Sequence, residues 1–172
     1  MVFKYYRLIF IFLSFCLSND NWQSSKIYKS KNKIYSYQTV LTGIDVLELN
    51  NFDLLVDKTI GIVANHTSIN RFDRNLADLL RIYSNINNPI IFTPEHGFKG
   101  NLSAGYLINK EDRYFNARVV SLYGKNKKPN NNDLKDIDLL VFDLQDVGAR
   151  YYTYVSTLTF VMQAAADNGI PI

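Results

Sequence analysis

Short apolar runs alternate with longer segments of helical period from residue 59 onward. Four of these runs predict strands: TIGIVAN (59–65), PIIFTP (89–94), ARVVSLYG (117–124) and DLLVFDLQ (138–145). Each run is nearly continuous in its apolar residues, which is typical of strands covered on both faces of a parallel sheet. The pattern therefore predicts a mainly parallel sheet.

Two longer segments have the spacing of amphipathic helices. In RFDRNLADLLRIYSNI, residues 71–86, the large apolar side chains fall at helical spacing behind Asp73, a candidate N-cap. YTYVSTLTFVMQAAADNG, residues 152–169, predicts a second helix that stops at Gly169. Because helices alternate with strands, we expect an α/β fold with helices flanking the sheet.

The N-terminus, MVFKYYRLIFIFLSFCLSND, has the three-part layout of a secretory signal peptide. Its apolar run of about ten residues is shorter than the ~20 that cross a bilayer as a helix. We predict a signal peptide at residues 1–18, a polar tail or linker at 19–40 and one domain at 41–172. The expected location is periplasmic or secreted, without stable membrane insertion after cleavage.

Composition and charge narrow the possible partners. The 172-residue chain is 47% hydrophobic and 20% charged, which suits one globular domain, and its net charge of +3 gives little reason to expect nucleic acid. Its one cysteine, Cys16, excludes an intrachain disulfide. The two histidines lack zinc-site spacing, and no glycine-rich phosphate turn follows the first strand. We therefore expect no metal and no cofactor.

Polar side chains that could bind or react with a ligand lie at or just after the carboxyl end of each predicted strand. In chain order they are Asn65, His66, Thr67, Glu95, His96, Tyr123, Gln145, Asp146 and Arg150. In an open parallel sheet, ligands bind outside the carboxyl ends of the strands, where the loops diverge. These residues therefore predict a binding or catalytic site at that edge.

The stretch FTPEHGFKG, residues 92–100, carries the first candidate acid. Glu95 is flanked by apolar residues, and the partial desolvation expected there suits a general acid. Glu95 could equally cap a helix or pair with a basic side chain. His96 could orient Glu95, donate to a backbone carbonyl or take part in proton transfer.

The other edge residues also have two interpretations each. His66 could be a ligand-binding residue or a hydrogen-bonded loop residue. Asp146 could be the second carboxylate of a glycosidase, or it could hold Arg150 in a salt bridge. Arg150 has a planar guanidinium that suits a substrate carboxylate or phosphate. Tyr152 could stack on a sugar ring or belong to the core.

The edge residues belong to motifs that together resemble the exo-β-N-acetylmuramidase family of bacterial glycoside hydrolases. The motifs are TGIDVL (42–47), GIVANHTS (61–68), PEHGFKG (94–100), SLYGKNKKP (121–129) and VFDLQDVGARYYTYVSTL (141–158). Their order and spacing agree over residues 43–172. The resemblance implies an enzyme that releases N-acetylmuramic acid from the non-reducing end of peptidoglycan fragments. It also implies a Rossmann-like N-terminal domain that shares its sugar cleft with a smaller C-terminal domain.

The resemblance also suggests roles for the edge residues. Glu95 is the implied catalytic carboxylate, with Asp146 and His96 as further catalytic candidates. Arg150 and His66 are implied partners of the lactyl carboxylate of muramic acid. The remaining substrate-binding candidates are Asn65, Thr67, Tyr123, Gln145 and Tyr152. The implied partner is a peptidoglycan-derived saccharide.

The chain departs from the family pattern in two respects. Ser103 stands where the family pattern has an aspartate, and family chains continue beyond the GIPI that ends at residue 172. We therefore expect a truncated form with weak or no activity. The alternative from a different class is an exported, non-catalytic module that binds muramyl sugars or peptidoglycan.

Overall fold

The computed structural model describes residues 29–30, 33–34, 40–83, 86, 89–103 and 112–172. The chain divides into two units, residues 1–40 and 41–172. In the first unit, β1 (Lys29–Ser30) and β2 (Lys33–Ile34) form an antiparallel pair. The predicted signal peptide, residues 1–18, lies outside the described residues.

The second unit is built on a five-stranded sheet. Its strands are β3 (Ile60–Ala64), β4 (Ile90–Thr93), β5 (Arg113–Tyr114), β6 (Ala117–Ser121) and β7 (Leu139–Asp143). They lie in the order β5-β6-β4-β3-β7. β3 pairs in parallel with β4 and β7, β4 pairs in parallel with β6, and β5 pairs antiparallel with β6. The predicted α/β class with a mainly parallel sheet is confirmed.

The order of the parallel strands creates a crevice. Numbered along the chain, these four strands lie third, second, first and fourth across the sheet, as in Rossmann-like folds. The order reverses between β3 and β7, so the loops that follow these two strands diverge to opposite sides. Ligands of such folds bind at this reversal, outside the carboxyl ends of the strands.

Helices cover both faces of the sheet. The helices of the described residues are α1 (Gly43–Leu49), α2 (Leu76–Ile82), α3 (Asn131–Leu134) and α4 (Tyr154–Asn168), with a 3-10 turn at Asp53–Leu55. α1 and α2 pack on one face with Ile62 and Ile91, and α3 and α4 pack on the other with Phe92 and Leu140. Burial on both faces explains why the strands are continuously apolar. None of the described helices has the length and apolar character that crossing a bilayer requires.

The predicted helices form, but one predicted cap is wrong. α4 ends at Gly169, as the sequence predicts, with φ of 68° at that residue. The side chain of Asn75 caps α2, because it accepts a hydrogen bond from the backbone N of Ala77 at 2.9 Å. Asp73, the expected cap, lies in the preceding turn with φ of 58°, where it cannot begin the helix.

Several short elements were not predicted, among them β5 and α1. β5 is only two residues long and lies in a polar segment without the pattern of a strand. α1 begins with a capping box between Thr42 and Asp45. Burial raises the pKa of the Asp45 carboxyl, but hydrogen bonds from the backbone N–H groups of Arg71 and Thr42 outweigh that effect and leave the pKa lowered.

The last residues lie along the outer edge of β7. The backbone N of Leu140 donates to the carbonyl oxygen of Pro171 at 2.9 Å. This hydrogen bond sets the segment after Gly169 beside β7.

Candidate functional site

Four loops leave the sheet at the carboxyl ends of its parallel strands. We call them the β3 loop (residues 65–68), the β4 loop (94–100), the β6 loop (122–124) and the β7 loop (144–150). Because the strands are parallel, all four loops lie at one edge of the sheet. Every predicted site residue except Tyr152 lies in one of them, and Tyr152 follows the β7 loop.

Asn65 organises the β3 loop. Its side chain is buried, and its Oδ1 accepts hydrogen bonds from the backbone N and the Oγ1 of Thr67, at 2.9 and 2.8 Å. Its Nδ2 donates to the Tyr154 hydroxyl at 3.0 Å, and its carbonyl oxygen accepts from Nδ2 of Asn75 at 3.0 Å. Asn65 therefore ties the loop to the first turn of α4 and to the start of α2.

Ser68 joins the same loop to β7. Its buried hydroxyl donates to the carbonyl oxygen of Asp143 at 2.5 Å and accepts from the backbone N of Asn65 at 3.1 Å. The Asp143 side chain is largely buried, and its Oδ2 has no hydrogen-bond partner among the described residues. Burial raises the pKa of Asp143 to about 6, although the Ser68 hydroxyl opposes that rise. A carboxyl group with a raised pKa thus lies beneath the β3 loop.

Consecutive turns and one buried ring shape the β4 loop. The backbone N of Gly97 donates to the carbonyl of Pro94 at 3.3 Å, and that of Gly100 donates to the carbonyl of Gly97 at 3.2 Å. Phe98 is buried and packs edge to face on Tyr114, with ring centroids 4.6 Å apart. Phe98 therefore anchors the loop in the core that lies on the α1 and α2 face.

Glu95 and Tyr123 meet across the β4 and β6 loops. The Tyr123 hydroxyl donates a hydrogen bond to the Glu95 carboxylate. This hydrogen bond, assisted by partial burial and by the charge of Glu95, raises the pKa of Tyr123. His96, next to Glu95, adopts a left-handed backbone with φ of 70°, and its Nδ1 donates to the carbonyl of Leu102 at 2.9 Å. The His96 ring thus closes its own loop by donating to a backbone carbonyl, one of the roles that the sequence allows.

His66 of the β3 loop lies directly on Gly100 of the β4 loop. A Cβ atom added at Gly100 would overlap Nδ1 and Cε1 of the His66 ring and lie 2.8 Å from its Cγ. Gly100 also has φ of 67°, which side-chain-bearing residues rarely adopt. Only glycine therefore permits this approach between the two loops.

The β7 loop presents its polar side chains to solvent. Gln145, Asp146 and Arg150 are all exposed. Asp146 Oδ1 accepts from the backbone N of Gly148 at 2.7 Å, and no ion pair joins Asp146 to Arg150 within the described part of the chain. The salt bridge that the sequence allows between these two residues is thus not formed.

Aromatic side chains continue this surface into α4. The exposed ring of Tyr152 lies 5.8 Å from that of Tyr151 and 5.2 Å from that of Tyr154, between centroids. Burial, followed by the influence of Tyr152 and of the Asp146 charge, raises the pKa of Tyr154 even though the Asn65 hydrogen bond opposes the rise. Asp146 therefore lies close enough to Tyr154 to act on it. In the described ranges, no cluster of three or more His, Cys, Asp or Glu side chains could hold a metal ion.

Comparison with known proteins identifies the family. Residues 60–172 match the family described as exo-β-N-acetylmuramidase NamZ, N-terminal. The chain belongs to this family. It is also 41% identical over 143 residues to the peptidoglycan β-N-acetylmuramidase NamZ of Bacillus subtilis strain 168, covering 83% of this chain and 34% of that protein. The family resemblance expected from the motifs is thus confirmed.

Two solved structures of the DUF1343 family share the fold of this muramidase-family chain. Both come from Bacteroides fragilis NCTC 9343. The protein BF0371 is 39% identical with a TM-score of 0.66, covering 76% of this chain and 32% of its own. The protein BF0379 is 33% identical with a TM-score of 0.61, covering 77% of this chain and 33% of its own. The chain spans about a third of the length of each relative.

The structure of this muramidase-family domain brings the predicted residues together in two groups. Glu95, His96 and Tyr123 form one group above β4 and β6. The second group lies above β3 and β7 and contains Asn65, Thr67, Gln145, Asp146, Arg150 and Tyr152. His66 connects the groups through its contact with Gly100.

Three residues outside the candidate catalytic and substrate-binding set also belong to the site. Tyr154 lies in the aromatic run after the QDVGAR motif, and Ser68 ends the NHTS motif, so each had a local sequence signal. Asp143 had none, since it occupies the last position of an otherwise apolar strand. Its backbone carbonyl accepts a hydrogen bond from Ser68, 75 residues earlier in the chain.

Proposed function

We propose that the protein is a glycosidase that releases N-acetylmuramic acid from the non-reducing end of peptidoglycan fragments, with Glu95 as its catalytic carboxyl group. The observation that carries the proposal is the position of Glu95. It lies at the carboxyl end of β4, which neighbours β3, one of the two strands between which the order reverses, and the Tyr123 hydroxyl binds its carboxylate. The membership of residues 60–172 in a muramidase family supports the same function.

The second carboxyl group of the reaction is proposed to be Asp146. Its loop leaves β7, which is separated from β4 by β3 alone, so the two strand ends lie about 10 Å apart. A saccharide above the end of β3 would then have Glu95 on one side and Asp146 on the other, as glycoside hydrolysis requires. The exposed ring of Tyr152 lies on the Asp146 side, where it can stack on the sugar.

The lactyl carboxylate distinguishes muramic acid from glucosamine and calls for a cationic partner. Arg150 is exposed in the β7 loop and is the proposed partner, because a guanidinium binds a carboxylate through two parallel hydrogen bonds. The substrate is a cell-wall saccharide, so we also propose that the N-terminal segment exports the protein to the periplasm or the medium.

The test is the turnover of a chromogenic β-N-acetylmuramide by the full-length protein and its Glu95→Gln variant. Loss of the carboxyl group should reduce kcat by at least about 100-fold, because general acid catalysis contributes about 10² to 10⁴. Asp136→Asn, which changes an exposed carboxylate beside Lys135 and before β7, is the matched control and should keep full activity. Wild-type turnover by Glu95→Gln would show that Glu95 is not the acid.

A binding measurement separates an enzyme from a non-catalytic module. The proposed pocket should bind N-acetylmuramic acid more tightly than N-acetylglucosamine, and Arg150→Ala should remove the difference. Preferential binding without any turnover by the wild-type protein would favour the exported binding module. Equal binding of both sugars would contradict the proposed substrate.

A further inference from the structure

Hydrogen bonds to α4 and β7 fix the backbone that carries His66. Asn65, the residue before it, is bonded to Thr67 within the loop and to Tyr154 of α4. Ser68 bonds to the carbonyl of Asp143 at the end of β7. These contacts leave His66 exposed on a loop whose position is set by α4 and β7.

The β4 loop, which carries Glu95, is held at other points. Phe98 anchors its middle in the core, and the bond from His96 to Leu102 closes it. Gly100, at its end, lies under the His66 ring with no room for a side chain. The imidazole of His66, which belongs to the fixed β3 loop, therefore packs against the β4 loop.

We propose that His66 is a positioning residue for Glu95: its ring, seated on Gly100, holds the β4 loop in the place that brings the Glu95 carboxyl to the Tyr123 hydroxyl. This role acts through the loop and differs from contact with the sugar. Tyr123 stands on the β6 loop, so its hydrogen bond to Glu95 reports where the β4 loop lies. The inference rests on the proposed function only for its effect on turnover.

Substitutions on both sides of the contact test the proposal. His66→Ala removes the ring, and Gly100→Ala pushes the ring away while leaving it in the chain. Gly169→Ala is the matched control, because Gly169 has φ of 68° against 67° at Gly100 but has no atom within 4 Å of an added Cβ. The control therefore introduces the same backbone strain without the overlap with His66.

The first readout does not depend on activity. In protein labelled with [¹³Cζ]tyrosine, NMR titration of Tyr123 reports its hydrogen bond to Glu95, which raises its pKa. In the His66→Ala and Gly100→Ala variants we expect the Tyr123 pKa to fall toward the ordinary tyrosine value. Gly169→Ala should leave the Tyr123 titration unchanged.

The second readout is the kinetics of the full-length protein on the chromogenic muramide. His66→Ala and Gly100→Ala should each lower kcat by about 10- to 100-fold, since small misplacement of a catalytic group has effects of that size. KM should change by less than about threefold, because a positioning residue does not contact the sugar. The double variant should be no slower than the slower single variant, since both changes break one contact.

Specific results would overturn the inference. They are an unchanged Tyr123 titration in His66→Ala, a higher KM with unchanged kcat, or multiplicative losses in the double variant. If Gly100→Ala does not fold, as judged by circular dichroism, His66→Ala alone decides, because it alters an exposed side chain. If the wild-type protein shows no turnover, the proposed function fails, whereas the Tyr123 titration still tests the contact.

Discussion

Replacing Asp143 by asparagine would remove a buried charge while keeping the shape of the side chain. Burial raises the pKa of this carboxyl from 3.8 to about 6 against the opposing effect of the Ser68 hydroxyl. Its Oδ2 is buried without a hydrogen-bond partner among the described residues. The ionised carboxylate is thus less well solvated in the native protein than in the unfolded chain, and this difference destabilises the native state at neutral pH.

The pKa of Asp143 sets both the size and the sign of the effect. A rise from 3.8 to about 6 corresponds to about 3 kcal/mol. Because the native state keeps this proton to a higher pH than the unfolded chain, the Asp143 contribution to the unfolding free energy is fully present below about pH 4. It is lost as the pH rises to about 6 and changes little beyond. Asparagine does not titrate, so the unfolding free energy of Asp143→Asn relative to wild type should be about 3 kcal/mol higher at about pH 8 than at about pH 4.

Urea denaturation followed by far-UV circular dichroism across this pH range measures the difference. Only the difference between variant and wild type is compared, so the other titrating groups, which both proteins share, cancel. Asp136→Asn controls for the same exchange at an exposed position beside Lys135. The reasoning is refuted if the Asp143→Asn difference is the same at about pH 4 and about pH 8 within about 0.5 kcal/mol, or if the variant loses more stability at the higher pH.

Further substitutions test the contacts that build the sheet and its loops. Gly61→Ala would place a methyl group 2.6 Å from Cδ2 of Leu140 and should lower the unfolding free energy by about 1–3 kcal/mol in urea denaturation. Tyr154→Phe removes the acceptor of the Asn65 amide and should lower the unfolding free energy by about 1–3 kcal/mol. An unchanged urea midpoint would contradict this role. Asn75→Ala removes the cap of α2 and should lower the unfolding free energy by about 1 kcal/mol. The dependence of that free energy on urea concentration should stay unchanged.

The parallel strands could be predicted because burial on both faces requires continuous apolar runs. α1 could not, since the Asp45 carboxylate at its start binds the backbone N of Arg71, 26 residues later, and no local pattern shows that contact. β5 has two residues, too few to show any periodicity. Asp73 and Asn75 are both suitable caps by residue type, and only the backbone conformation distinguishes them.

The edge of the site could be predicted, but the partners of its residues could not. Loops that follow parallel strands lie at one edge of the sheet, which places Glu95 and Tyr123 together there. No sequence pattern near either residue shows that the tyrosine would bind the carboxylate. Asp143 lies among apolar neighbours whose pattern indicates only a strand. Contacts between distant parts of the chain decide these details, such as Ser68 with Asp143 across 75 residues and Asn65 with Tyr154 across 89.

The strand order also has a consequence for synthesis on the ribosome. β3 is the first strand of the five-stranded sheet to be made, whereas β7, its partner on one side, follows about 80 residues later. Synthesis adds about 5–20 residues per second, so one edge of β3 stays unpaired for about 4–16 s before β7 has been made. During that interval its unpaired backbone is open to other chains, and the crevice between β3 and β7 cannot yet exist. Until β7 has been made, β3 therefore keeps an unpaired edge that other chains could bind.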